Sequence, residues 1–330
     1  MAMKVKLWGV RGSIPAPLSP EQVTGKIRNA LVAYEQYRQA GKSSSAAGVD
    51  EFLQTLPVSA KSSFGGNTAC IEVKTDAQQI IVDGGSGIRR LGETLLAGPC
   101  GKGQGKVHIL FTHFHWDHIV GLPFFIPFFI PGNEIHCYAV SEGLEKTIRA
   151  MFSKPNFPVP FDRLGAKVFF HVLKPRASVQ FADIEVTPYQ LDHPDPCWGY
   201  QFKSAGKTFS YCVDTEGIRV SQKDLGADLP FYQGVDLMVF DAQYTFLEAA
   251  ERIDWGHATA PIGLDLAMRE NIKKVYFIHH DPAANDEKVE LAEKQTRDYY
   301  ERTLQSAKQL KKNVYEVDWA FACEGLEVTV

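Results

Sequence analysis

The run Thr112-His113-Phe114-His115-Trp116-Asp117-His118 constrains this chain more than any other feature. With 10 histidines and 19 aspartates among 330 residues, H-x-H-x-D-H arises by chance in roughly one such chain in two thousand. It follows the apolar run Val107–Thr112, which reads as a strand. His113 and His115 leave that strand end on the same side, because strand side chains repeat every two residues. Asp117 and His118 then fall on the following turn. Three imidazoles and a carboxylate in one small volume suit a borderline divalent metal such as zinc. Three unrelated surface histidines are the alternative, and the rarity of the pattern argues against it.

A metal site needs ligands from elsewhere, and later strand ends supply candidates. His193 follows Ile184–Gln190, Asp214 ends Thr208–Val213, and His279 and His280 close Lys274–Ile278. Other strand-like runs are Lys4–Val10, Cys70–Thr75, Gln79–Val82, Lys167–Val172, Tyr200–Ser204, Leu237–Asp241 and a last one at Asn313–Val317. Helical patterns cover Ile88–Ala97, Ser141–Phe152, Ala260–Glu270 and Asp286–Leu310. Two β-rich halves, each with helices, predict stacked sheets with helices outside. The segment 16–61 stands apart, with a helix over Pro20–Ala40, a Gly/Ser/Ala-rich stretch at Gly41–Gly48 and a short helix near Asp50–Leu56. It reads as a helical insertion in one 1–330 domain, serving as a lid or a dimer arm.

Composition narrows the partners. Lys and Arg total 35 against 39 Asp and Glu, a net charge of −4, so no global basic field exists to hold long nucleic acid. Six cysteines without a C-x-x-C read as reduced, mostly buried thiols. Met1–Val10 runs into Leu7-Trp8-Gly9 without the apolar core of a signal peptide. Ile119–Ile130 is apolar but carries Gly121, Pro123 and Pro127 and is too short to span a bilayer. The expectation is a cytoplasmic protein with no membrane partner.

The H-x-H-x-D-H block, the later single His and Asp positions and the final strand-end His resemble the metallo-β-lactamase superfamily. The resemblance implies an α/β (α+β) fold, a four-layer αββα sandwich with two metals at one edge. Asp192-His193-Pro194, Tyr211-Cys212-Val213-Asp214-Thr215 and Trp255-Gly256-His257-Ala258-Thr259 are similar to the phosphodiesterase branch, the ribonuclease Z-like and cyclic-nucleotide phosphodiesterases, including the anti-Pycsar enzymes. Gly9-Val10-Arg11-Gly12-Ser13 and Gly65-Gly66-Asn67-Thr68 also fit that group. By this resemblance His113, His115 and His193 hold one metal, and Asp117, His118 and a terminal-strand histidine hold the second, with Asp214 bridging. The pattern favours His279 over His280. His280 then supports a ligand, edges the substrate or simply packs. Asp83, in V-D-G-G-S-G, would orient a ligand histidine. Relatives of this kind are often homodimers, which makes a symmetric dimer the default.

The implied chemistry is hydrolysis. Two divalent cations, zinc or else manganese, would activate water in line with phosphorus. Their +4, less Asp117, Asp214 and a bridging hydroxide, leaves +1, which complements a phosphodiester monoanion. His257, oriented by Asp241, would contact the phosphate and protonate the leaving oxygen. Asp117 could also steer a proton, after its role as ligand. Thr259, Arg11 and Asn67 are candidate substrate contacts. One or two of Phe124, Phe125, Phe128 and Phe129, with Phe152 or Phe157, could stack a base, although such a run most often packs a core. His108, His136 and His171 receive no function. The expected substrate is a small cyclic phosphodiester, a 3′,5′-cyclic nucleotide before others. A phosphoribosyl cyclic phosphate or an RNA 3′ end is the next choice. A lactonase would leave Asp241 and His257 idle, an iron dioxygenase would not need the second site, and a non-catalytic metal-binding protein should lack ligands that are all present here.

Overall fold

The computed structural model describes residues 2–41 and 45–330, so Lys42, Ser43 and Ser44 of the expected Gly/Ser/Ala-rich stretch lie outside the described residues. One sheet contains β1 (Lys4–Gly9), β2 (Cys70–Lys74), β3 (Gln79–Val82), β4 (Lys106–Phe111), β5 (Glu134–Ala139) and β6 (Lys167–Val172), in that order, with β14 (Glu327–Thr329) beside β1. The second runs from β7 (Val179–Phe181) through β8 (Ile184–Gln190), β9 (Trp198–Ser204), β10 (Lys207–Cys212), β11 (Leu237–Asp241) and β12 (Lys274–Ile278) to β13 (Asp318–Phe321). The helices are α1 (Pro20–Gln39), α2 (Ala46–Thr55), α3 (Val58–Lys61), α4 (Ile88–Leu95), α5 (Trp116–Ile119), α6 (Leu144–Met151), α7 (Gln222–Leu225), α8 (Phe246–Glu251), α9 (Ala260–Glu270) and α10 (Asp286–Gln309).

Central strands such as β4 and β11 are buried on both faces, which is why they read as nearly continuous apolar runs. In β11, Leu237 and Val239 join the core between the sheets, whereas Met238 and Phe240 join the core under α9 and α10. In β4, Leu110 points between the sheets, while Val107, Ile109 and Phe111 pack with Ile88 and Leu91 of α4 and Ile148 of α6. This alternation makes the four layers, helix–sheet–sheet–helix, that the sequence suggested.

Parallel pairing sets where chemistry can collect. Strands β3 to β6 are mutually parallel, as are β10 to β13, and β8 runs antiparallel to β9, which is antiparallel to β10. The C-terminal ends of β3, β4, β8, β10, β11 and β12 carry the residues singled out above. Val10 to Gly12 stitch the two sheets at that edge: His280 N–H donates to Val10 O (2.9 Å) and Gly12 N–H to His280 O (3.0 Å).

Some elements depart from expectation. The last strand is not Asn313–Val317 but β13 and then β14, because β13 pairs Asp318 with Lys274 and Phe321 with Phe277 while Val314 and Val317 pack against the outer core. β5 and β7 were not anticipated. α6 starts at Leu144 rather than Ser141. The insertion leaves and rejoins the sheet at one place, where Ala16 N–H donates to Gly66 O (2.9 Å). It rests on the start of α10: Lys26 pairs with Asp286 (2.8 Å), and Ser59 Oγ donates to Glu290 (2.6 Å). α1 has no buried residue over its 20 positions.

Candidate metal centre

Three of the strand ends that carry the site hold strained backbone. Asp83, Asp214 and His279, each following its strand or one residue beyond, adopt φ of 63°, 64° and 67°. Non-glycine residues rarely enter this left-handed region, at a cost of order 1–3 kcal/mol each. The surrounding packing holds them there.

Their side chains converge in two groups. His113, His115 and His193 form one, and Asp117, His118, Asp214 and His279 form the other, with candidate ligand atoms in each within 4.8 Å of one another. Asp214 also groups with Asp241, His257 and His279. The hydrogen bonds behind these residues aim them. Asp83 Oδ2 lies 2.8 Å from His118 Nδ1 and Asp83 also accepts from Thr112 N–H (2.9 Å), so His118 Nε2 is left for the centre. His113 Nδ1 lies 3.1 Å from Thr112 Oγ1, and its buried Nε2 has no hydrogen-bond partner. His193 Nδ1 lies 3.1 Å from Asp195 O, and its Nε2 is also buried and unpartnered.

The arrangement fits cations. His118 Nε2 and Asp214 Oδ2 approach to 2.8 Å, yet both lack a partner of hydrogen-bond geometry. Two buried donor atoms this close but not aimed at each other are aimed at a common point. The electrostatics agree. Burial disfavours charge on His118, but Asp214, Asp117 and Asp83 lift its pKa well above the ordinary value. Burial likewise opposes His279, and Asp214 with Asp117 and Asp241 raises it to about 9. Burial pushes Asp117 up, but His118 and His279 hold it well below the usual carboxylate range. Burial keeps His113 and His193 below their usual value, hence neutral, the form that binds metal. The acidic group attracts positive charge and the histidine group offers free lone pairs.

Asp241 lies behind the acidic group. Its Oδ2 sits 3.0 Å from His257 Nδ1 and accepts from Asp214 N–H at 3.0 Å, while Oδ1 accepts from Gln243 N–H (3.1 Å) and Ala258 N–H (3.3 Å). His257 stands 4.9 Å from His279 and 6.3 Å from His193, ring centre to ring centre. Thr259 Oγ1 is buried without a hydrogen-bond partner.

Other expected residues sit differently. Arg11 is buried and donates to Gly65 O (2.7 Å), Asp281 O (3.0 Å) and Ala284 O (2.8 Å), which commits its guanidinium to the fold. Asn67 bonds Glu324 (2.8 Å) and Ser86 (2.9 Å). His280 packs between Phe64 and Phe321 with Nε2 on Ala322 O (2.9 Å), and burial holds its pKa near about 3. Phe125, Phe128 and Phe152 are core residues.

Several residues escaped the sequence reading. Asp195 reaches His115 Nε2 at 2.9 Å, and only its place in Asp192-His193-Pro194-Asp195 hinted at this. Thr112 touches Asp83, His113 and His118 at once. Ser13 N–H donates to Asp117 Oδ2 at 2.8 Å. Two glycines let the backbone reach the centre: a Cβ on Gly12 would lie 2.5 Å from His279 Nδ1, and one on Gly256, at φ +85°, 2.3 Å from His193 Cδ2.

Two stacked sheets with a histidine group and a histidine–aspartate group at one shared edge define a metal-binding αββα protein. The chain belongs to the metallo-β-lactamase superfamily, since residues 78–280 match the Beta-lactamase superfamily domain. It is similar to Ribonuclease Z of Pyrococcus abyssi, with 30% identity over 152 residues, 45% of this chain and 46% of that protein. The chain thus spans about half the length of that relative. Among solved structures, the metallo-beta-lactamase fold protein YhfI from Bacillus subtilis superposes at a TM-score of 0.62 and 14% identity, covering 100% of this chain and 99% of that one. Unliganded yeast PDE1 superposes at 0.61 and 15% identity, covering 100% and 99%. These superpositions bear out the αββα fold.

Proposed function

We propose that this chain is a metal-dependent phosphodiesterase that opens a small cyclic phosphodiester, with a 3′,5′-cyclic nucleotide as its substrate. The observation that carries the reading is Asp241 and His257, joined at 3.0 Å beside both ligand groups. The pair sets an acid where a departing alkoxide would need a proton. Two divalent cations, zinc by the N/O donor set with manganese as the alternative, would be held by His113, His115 and His193 and by Asp117, His118 and His279, with Asp214 between. Such a pair supplies Lewis-acid polarisation of a phosphoryl oxygen and a more acidic water.

The chain's own residues do the rest. Asp241 accepts from His257 Nδ1, fixing the ring so that Nε2 serves the substrate. Water oxygen bonds to phosphorus, one ring P–O bond breaks, and His257 Nε2–H gives its proton to the departing alkoxide. Thr259 Oγ1 offers a buried hydroxyl to the phosphate. Asp117, held by Ser13 N–H, keeps its carboxylate toward the metals and can take the proton that water releases. Residues 1–330 act as one unit in this reading, cytoplasmic and dimeric, with 16–61 as lid or dimer arm.

The test is turnover, with added zinc or manganese, of a panel of 3′,5′-cyclic nucleotides, bis(p-nitrophenyl) phosphate, a lactone and a tRNA precursor. Cyclic-nucleotide opening is expected, falling about 10²- to 10⁴-fold in His257→Ala while bound metal is retained. Lactone turnover indifferent to His257 would refute the reading. Cleavage of the tRNA precursor instead would favour RNA 3′-end processing, the second reading, which rests on the likeness to Ribonuclease Z.

A further inference from the structure

Three of the five tryptophans, Trp8, Trp198 and Trp319, are buried. The other two flank the site: Trp116, between His115 and Asp117, is 67% exposed, and Trp255, two residues before His257, is 61% exposed. Trp255 lies in a defined loop. Its backbone N–H donates to Glu216 Oε1 (3.1 Å), Asp254 before it takes φ 66°, and Gly256 after it rests against the His193 ring.

Arg252, on the same loop, is half-buried, and its Nη1 is buried without a hydrogen-bond partner. Its guanidinium carbon lies 4.8 Å from the Tyr244 ring centre and 5.9 Å from that of Trp255. The Tyr244 ring in turn meets His257 edge-on at 5.6 Å. No carboxylate pairs with Arg252 among the described residues. A cation held over two aromatic rings, beside an indole that is largely exposed, is suited to a planar, electron-rich ligand. An alkyl phosphate would leave the exposed indole without a partner.

We propose that Trp255 and Arg252 form a nucleobase subsite beside the metal centre. Trp255 stacks on the base, and Arg252, held over the Tyr244 and Trp255 rings, positions the indole and sets a positive charge beside the base. The proposal rests on the phosphodiesterase reading and names the part of the substrate that the ligand groups do not touch.

The experiment is calorimetric binding of AMP, GMP and base-less ribose 5-phosphate to the metal-loaded protein. The wild type should prefer the nucleotides. Trp255→Ala should cut that preference about 5- to 100-fold, the range expected for one stacked base, and Trp255→Phe should restore most of it. Arg252→Gln should reduce it as well. No nucleotide preference in the wild type, or an unchanged preference in Trp255→Ala, overturns the subsite. So does a change of oligomeric state in Trp255→Ala without loss of preference, which would make the ring an interface residue. Failure of the phosphodiesterase reading looks different: no diester is cleaved, yet nucleotides still bind through Trp255.

Discussion

Asp83 governs how His118 serves the centre. Its buried carboxylate takes His118 Nδ1 at 2.8 Å and leaves only Nε2 for a cation. An amide at this position is less basic and does not dictate the same tautomer. Asp83→Asn should therefore weaken metal affinity about 10- to 100-fold, measured by competition with a chelator, and unchanged affinity would show that Asp83 merely packs. The residues that converge at the centre were legible because each follows an apolar strand, and parallel strands deliver their ends to one edge. Asp195 and Ser13 were not legible, since their contacts depend on how loops fold back. Arg11 and Asn67 illustrate the converse. Their motif was visible, but not that backbone carbonyls and Glu324 would occupy them.

At the scale of elements, strands with two buried faces announced themselves by apolar runs, and β5 did not. Its Glu134, His136 and Tyr138 break the run, and the reason lies across the sheet. His108 of β4 stacks on His136 (5.1 Å) and bonds Tyr138 Oη (2.9 Å), while His136 Nδ1 meets His171 Nε2 of β6 at 3.0 Å. Burial, reinforced by His136, Lys106 and His171, holds His108 down to about 4. Burial and Lys106 also lower His136 and His171. These rings are neutral in the fold, whereas an unfolded histidine protonates near pH 6.5. The stability they contribute is complete above about pH 6.5 and is lost as pH falls toward 4, by up to about 3 kcal/mol for His108. Thermal unfolding should therefore drop over that window, and His108→Phe should flatten the drop. An equal slope in that variant would place the acid sensitivity elsewhere.

For the whole molecule, the insertion is the feature with the least obvious purpose. Because it starts and ends at the Ala16–Gly66 contact, residues 17–61 can be replaced by a short glycine linker without opening the sheets. The excision also removes Lys26 from Asp286, though Arg11 remains 3.8 Å from that carboxylate. Bound metal should persist, while substrate affinity or the oligomeric state, read by kinetics and light scattering, should change. If neither changes, the segment is ornament. The length of α1 was readable from its sequence, but a helix with no buried residue shows only in three dimensions what it leaves uncovered. The contact of Gly256 with His193 limits how such a protein can diversify. Loop exchange is the usual way to give an old scaffold a new substrate, and it works when the loop can vary without disturbing the chemistry. Here the segment from Arg252 to His257 is threaded against His193. Grafts that keep a glycine at 256 remain open to selection, and those that replace it push His193 out of its group before any new specificity can be tried.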